Sequence, residues 1–232
     1  MFKAGGPDTL RFVPERPTAV LFDLDGTLLD TMGDLANSVN RLRSRRGLPS
    51  LSDRAVAGFV GDGPLTLMER VLPGLSRPEL EAAEEEFLDD YLAHCTERTQ
   101  PYPGIPEALD GLAGIPLGIV TNKPRNQTMR LVDSLGWRAR FGAILASDDL
   151  ERIKPDPLPI RTALERLGAE ASGAWMIGDS TNDVEAGKAA GVRTILVSWG
   201  FQPLENVLPL GPDAVARTPR EIPGIVFGRT SS

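Results

Sequence analysis

The chain of 232 residues is poor in the residues that build several familiar kinds of site. It has one cysteine, Cys95, which excludes an internal disulfide and a cysteine-built zinc site. Its one histidine, His94, would have to serve any Ser-His-Asp triad, yet it lies in a long charged helical pattern far from a nucleophile signature. It reads as a surface or cap-packing side chain. Excess positive charge is also missing. The net charge of -7 argues against a nucleic-acid partner. The one compact basic cluster, "RLRSRRG" at 41–47, is balanced by the acidic run "ELEAAEEEFLDD" at 79–90, and both read as solvated helix faces. No run approaches the ~18 apolar residues of a membrane span, and "MFKAGGPDTLRFVPERP" contains no continuous apolar stretch of a secretory signal. A soluble, cytoplasmic chain is expected. No repeat or low-complexity segment is visible, and no pattern assigns an oligomeric state.

What is present is a series of short apolar runs that end in polar or glycine-rich turns and lead into helical patterns. They are "TAVLFD" (18–23), "PLGIVTN" (116–122), "FGAILASD" (141–148), "AWMIGD" (174–179) and "RTILVS" (193–198). Nearly continuous apolar strands alternating with helices predict an α/β, Rossmann-like parallel sheet with helices on both faces. Ligands of such sheets bind beyond the carboxyl ends of the strands. The runs deliver Asp23, Thr121 and Asn122, Ser147 and Asp148, and Asp179 there. Residues 31–100 break the alternation. Leu35, Val39 and Leu42 form one helical stripe, and Leu80, Ala83, Phe87, Tyr91 and Cys95 form another. "SRPELEAAEEEF" has a Ser cap, a Pro in the first turn and early acids. These features predict a helical cap, 31–100, inserted into an α/β core made of 1–30 and 101–232. The proline-rich stretch from about 201 to 232 is expected to wrap the core edge.

The stretch "VLFDLDGTLLD" runs an apolar strand straight into Asp23, Asp25 and Asp30. Buried charge is costly unless compensated. Residues two apart on an extended chain point the same way, so Asp23 and Asp25 share a side. Gly26 and Thr27 supply a tight turn and free backbone N–H groups. Asp179, in "IGDSTND", reaches the same sheet end, and Asp183 begins the following helix. Paired carboxylates repel unless a cation sits between them. An all-oxygen set favours a hard ion, with Mg²⁺ as the default. Helix capping and turn formation are the alternative roles, most of all for Asp183. Thr121, Asn122 and Lys154, the last in "RIKPDP", offer a hydroxyl, an amide and a charge to an anion. With a metal and backbone N–H groups they make a phosphate clamp.

"DLDGT", "VTN", "KPDP" and "GDSTND", in this order, resemble the four motifs of the haloacid dehalogenase superfamily, in its phosphatase branch, across 17–200. The resemblance implies that Asp23 attacks phosphorus and forms an aspartyl-phosphate, and that Asp25 serves as general acid and then base. It implies Mg²⁺ held by Asp23, the Asp25 carbonyl and Asp179, with Asp183 direct or through water. Thr121, Asn122 and Lys154 would hold the phosphoryl oxygens. Hydrolytic dehalogenases lack the second Asp, so Asp25 argues against dehalogenation. Phosphonate hydrolases of this kind use a cap Lys, and 31–100 contains none. "GFVGDGPLTLMERVL" (58–72), "YPGI" (102–105) and "VTNKP" (120–124) resemble the phosphoglycolate phosphatases. The expected substrate is then a small phosphorylated metabolite, 2-phosphoglycolate. Gly61 and Gly63 would let the cap loop approach it, and Arg70 is a candidate for its carboxylate. Phosphatases or mutases of sugar phosphates, nucleotides or pyrophosphate are the enzyme alternatives. A phosphate-binding regulatory protein is the alternative outside catalysis.

Overall fold

The computed structural model describes residues 17–229, so the reading of the first sixteen residues lies outside the described part. The elements in chain order begin with β1 (Val20–Phe22), β2 (Leu29–Asp30), α1 (Met32–Arg45), α2 (Asp53–Ala57), α3 (Pro64–Val71), α4 (Arg77–His94) and β3 (Gln100–Pro101). They continue with α5 (Ile105–Gly111), β4 (Leu117–Val120), α6 (Arg125–Ser134), β5 (Ala143–Leu145), α7 (Leu158–Leu167) and β6 (Trp175–Gly178). The last are α8 (Thr181–Ala190), β7 (Arg193–Val197), α9 (Leu204–Val207), β8 (Ala214–Ala216) and α10 (Ile222–Val226).

Six strands form one parallel sheet in the order β5-β4-β1-β6-β7-β8. Counted along the chain, that order is the 3-2-1-4-5-6 of a doubly wound sheet. Val20 pairs with Leu117 on one side and Trp175 on the other, so β1 lies at the centre. The order reverses between β1 and β6, and a crevice opens where successive crossovers diverge to opposite faces. Alternation along β1 divides the core. Val20 and Phe22 pack with Leu109, Leu131, Val132 and Ile222 on one face. Leu21 packs with Ile160, Ala163, Leu164 and Ala186 on the other. Both faces are buried, and burying a side chain such as Phe22 contributes about 1.5–3 kcal/mol.

Between β2 and β3 every element is helical, and both expected stripes, Leu35-Val39-Leu42 and Leu80-Ala83-Phe87-Tyr91-Cys95, are buried. Ser76 and Glu79 form a capping box at the start of α4, with the Ser76 N–H 2.7 Å from Glu79 Oε2. The basic and acidic clusters are more than solvated faces. Arg41 pairs with Asp90, and Arg45 and Arg46 with Glu86, so α1 and α4 are laced together. His94 is half-buried and pairs with Glu97. β2 and β3 pair antiparallel, which sets the chain's two crossings from sheet to helices side by side. The last stretch does more than wrap an edge, because β8 adds a sixth strand beside β7.

Candidate active site

The three carboxylates that follow β1 part company. Asp23 is buried, Asp25 half-buried and Asp30 exposed. Asp30 Oδ1 accepts the Met32 N–H at 3.3 Å and serves the start of α1 instead. The Asp23 N–H bonds to the Ile177 carbonyl, which pins the end of β1 against β6. β6 delivers Asp179 to the same crevice, and one oxygen of each of Asp23, Asp179 and Asp183 lies within 4.8 Å of the others.

Each aspartate has its own setting. Asp183 caps α8, its Oδ2 accepting from the Ser180 N–H (3.0 Å) and hydroxyl (2.6 Å). Its Oδ1 remains for Lys154 Nζ at 2.6 Å, and the same ammonium donates to Asp23 Oδ1 at 2.8 Å. Capping and charge pairing coexist because a carboxylate has two oxygens. Asp179 accepts from the Phe201 N–H at 2.7 Å and from the Thr27 hydroxyl at 3.2 Å. Gly26 has φ +80°, and a Cβ there would lie 2.6 Å from Asp179 Oδ2, so only glycine fits this turn.

Three buried carboxylates face one buried ammonium, an excess of two negative charges when all of them ionise. Burial pushes Asp23 up to about 8, with Asp183 and Asp179 adding to the rise and Lys154 opposing it. Burial and the Asp183 charge push Asp179 up to about 7, against the N–H groups of Phe201 and Gln202. Burial works against the Lys154 charge, but Asp183 and Asp23 outweigh it and raise that group above its ordinary value. An all-oxygen set with an uncompensated charge of minus two suits a hard dication, so these residues fit a metal ion.

The expected phosphate ligands are brought to the crevice in different ways. Thr121 lines it, and its oxygen accepts the Lys123 N–H at 3.2 Å, which leaves its proton to donate. Lys154 lines it as well. Asn122 is turned to another task. Its amide accepts the Lys154 N–H (3.0 Å) and donates to the Lys154 carbonyl (2.8 Å) and the Gly61 carbonyl (2.9 Å). The expectation of free backbone donors at Gly26 is corrected, since its N–H bonds to the Leu29 carbonyl. Thr27 is fully buried on Asp179.

A cleft of about 730 Å³, its open part included, lies between these groups and the helices. Leu35, Leu67, Phe87, Leu88 and Tyr91 form its apolar wall, and Gly61 and Gly63 its loop. Arg70 stays outside it, bound to Asp62 at 2.6 Å and to the Phe59 carbonyl at 2.9 Å. Sequence reasoning missed Lys123 and Asn182. Lys123 Nζ donates to both oxygens of Asp25, at 2.9 and 2.7 Å, and lies 4.5 Å from the centre of the Tyr91 ring. Thr31 donates to the same carboxylate at 2.7 Å. Asn182 donates to the Gly61 carbonyl (3.1 Å) and Asp62 Oδ1 (2.7 Å). Lys123 stands within "VTNKP" and Asn182 within "GDSTND", and their place in those motifs was the available signal.

A sheet reversing beside a buried aspartate cluster, under a helical insertion, defines a class of hydrolase. The family model for haloacid dehalogenase-like hydrolases matches residues 20–197, and the chain belongs to that family. Among its relatives, N-acetylmuramic acid 6-phosphate phosphatase of Pseudomonas aeruginosa is 37% identical, covering 89% of this chain and 93% of that protein. Phosphoglycolate phosphatase of Neisseria gonorrhoeae is 39% identical over 81% and 82%. A predicted phosphoglycolate phosphatase of Haemophilus somnus, known from its crystal structure, superposes with a TM-score of 0.84 at 27% identity, covering 90% of this chain and 97% of that one.

Proposed function

We propose that the protein hydrolyses phosphate monoesters through an aspartyl-phosphate on Asp23 and that 2-phosphoglycolate is its substrate. It is a phosphatase of the haloacid dehalogenase-like family, and a small phosphorylated metabolite is the substrate that class implies. The observation that carries the mechanism is the asymmetry of Asp23. Lys154 holds Oδ1, while Oδ2 receives no hydrogen bond among the described residues and the side chain lines the cleft. A carboxylate fixed by one oxygen with the other unencumbered is an aimed nucleophile. Oδ2 attacks phosphorus as the P–O bond to the alcohol breaks. Asp25, two residues on and braced by Lys123 and Thr31, gives its proton to the departing oxygen. Asp25 then takes a proton from the water that cleaves the acyl phosphate.

Asp23, Asp179 and Asp183 are the groups that would hold Mg²⁺. When bound, the ion supplies positive charge that lets these aspartates ionise together and offsets the charge of the phosphoryl group. Thr121 and Lys154 donate to the phosphoryl oxygens, and Asn122 keeps Lys154 in place. The helical stretch 31–100 acts as the cap, closing on the core through Gly61. Among the described residues no helix is long and apolar enough to cross a membrane.

A second reading has an observation of its own. The cap wall is apolar, and the Pseudomonas relative is named for a bulkier sugar phosphate. The deciding measurement is kcat/KM for 2-phosphoglycolate, N-acetylmuramic acid 6-phosphate and p-nitrophenyl phosphate, in Mg²⁺ and in EDTA. Preference for 2-phosphoglycolate with loss in EDTA supports the proposal. Preference for the sugar phosphate replaces the substrate. Inactivity on all three in Mg²⁺ leaves the phosphate-binding regulator.

A further inference from the structure

Lys123 is a buried lysine that the four motifs do not use. Its side chain is 4% exposed. Two of its three N–H groups go to Asp25, and among the described residues it has no other acceptor. It is one of two cationic side chains lining the cleft, with Lys154. Lys154 stands on Asp23 and Asp183, at the phosphoryl side. Lys123 stands on Asp25, at the side where the alcohol leaves. Arg70, the cap cation proposed from sequence for a substrate carboxylate, is outside the cleft and paired with Asp62.

We propose that Lys123 is the specificity residue of this site, receiving a carboxylate carried on the carbon next to the ester oxygen. The inference rests on the phosphatase reading above and assigns the residue that selects the leaving group. The general acid must touch the ester oxygen, so that oxygen lies at Asp25. Lys123 Nζ lies within 2.9 Å of both Asp25 oxygens, which places it beside the first atoms of the leaving alcohol. In 2-phosphoglycolate the carboxyl carbon is two bonds from the ester oxygen, within this reach. In N-acetylmuramic acid 6-phosphate the carboxylate lies across the sugar ring from the ester, outside it.

The surroundings suit such a contact. Leu35, Phe87 and Leu88 give the cleft an apolar lining, and an ion pair gains strength in a low dielectric. The Tyr91 ring lies under the ammonium and stabilises its charge. The Tyr91 hydroxyl and the Gln127 amide oxygen are buried on the same wall, each without a partner among the described residues. Unpartnered buried polar atoms in a cleft mark where a ligand or its water completes the bonding.

The test is a ratio. kcat/KM is measured for 2-phosphoglycolate and for 2-hydroxyethyl phosphate, which replaces the carboxylate with a neutral hydroxymethyl group, in wild type, Lys123→Met and Lys123→Arg. The wild type should prefer the carboxylated ester. In Lys123→Met that ratio should fall by roughly 30-fold or more, mainly through KM, as expected for losing one partner of a desolvated charge pair. Lys123→Arg should restore part of it. If Lys123 only braces Asp25, both esters lose activity in proportion and the ratio stands, which overturns the proposal. A wild type that hydrolyses both esters equally overturns it too, while the phosphatase reading survives. A wild type inactive in Mg²⁺ on both esters and on p-nitrophenyl phosphate defeats the phosphatase reading. The subsite is then read from thermal shift with glycolate, expected for wild type and lost in Lys123→Met, and absence of a wild-type shift overturns it.

Discussion

Lys154 and Asp183 form an ion pair at 2.6 Å in which each side chain is 2% exposed. The lysine comes from the segment after β5 and the aspartate from the first turn of α8, so the pair fastens two crossovers across the crevice. Asp23 shares the same ammonium.

Removing that ammonium leaves three buried carboxylates with no counter-charge. Lys154→Met should destabilise the metal-free protein by about 3–5 kcal/mol and abolish turnover. Adding Asp183→Asn removes one of the stranded charges, so the double variant should unfold at a higher urea concentration than Lys154→Met alone. A Lys154→Met midpoint equal to wild type in EDTA would contradict the assigned role of the pair.

The stability of the metal-free protein should depend on pH with a defined sign. Asp23 and Asp179 rise from 3.8 to about 8 and about 7, so the folded state holds protons that the unfolded state releases. Their contribution to stability is fully present below the unfolded value and is lost as pH rises through the folded ones. The thermal midpoint in EDTA should fall between pH 5 and 8 by this contribution, and Asp23→Asn should flatten the slope. Mg²⁺, which binds the ionised carboxylates, should raise the midpoint more at pH 8 than at pH 6. A larger rise at pH 6 would reverse the argument.

Much of this fold was readable before the structure. β1, β4 and β6 are buried along their whole length and β5 and β7 nearly so, and that burial makes a continuous apolar run. The aspartates were readable because strand ends are where such sheets place ligands. What escaped lies in contacts between distant segments. Nothing near Lys123 says that it meets Asp25, 98 residues away. Asn122 offered an amide to an anion on paper, but its partners Lys154 and Gly61 come from two other loops. β8 was missed because "AVA" is three residues long and carries little pattern. The pairing of Arg45 and Arg46 with Glu86 needed the antiparallel contact of α1 and α4, which local charge balance does not reveal.

Asp23→Asn should abolish turnover without lowering stability. An amide is a poor nucleophile, and phosphate monoester hydrolysis is among the slowest uncatalysed reactions, with accelerations up to ~10²¹-fold. The amide oxygen can still accept from Lys154, and the variant loses a carboxylate whose ionisation burial opposes. Steady-state rates and thermal midpoints check both halves. Retained activity in protein free of wild type would refute the covalent mechanism. A large drop in the midpoint would show that Asp23 also holds the fold.

Gly61 is where the loop between α2 and α3 meets the core. The Gly61 carbonyl accepts from Asn122 at 2.9 Å and from Asn182 at 3.1 Å, so one peptide group joins the loop to the segment after β4 and to the first turn of α8. Glycine was expected here to allow close approach and, where required, a positive φ; a Cβ at position 61 would meet nothing nearer than Gln202 Nε2 at 3.7 Å, an ordinary contact, so the second reason is the one that applies. The requirement is the backbone angle, φ +127°, which a β-branched residue adopts only with strain. Gly61→Val should therefore rotate the carbonyl away from both asparagines and loosen closure, leaving the aspartates untouched. Asn182→Ala removes the bonds to Gly61 and Asp62 without altering that angle and should act in the same direction, each lost bond costing about 0.5–1.5 kcal/mol. 2-Phosphoglycolate depends on closure to exclude water and complete its contacts, whereas p-nitrophenyl phosphate carries a good leaving group. Both variants should lose kcat/KM on the first substrate far more than on the second. Equal losses would locate the damage in the core, and no loss on either would make the loop a connector.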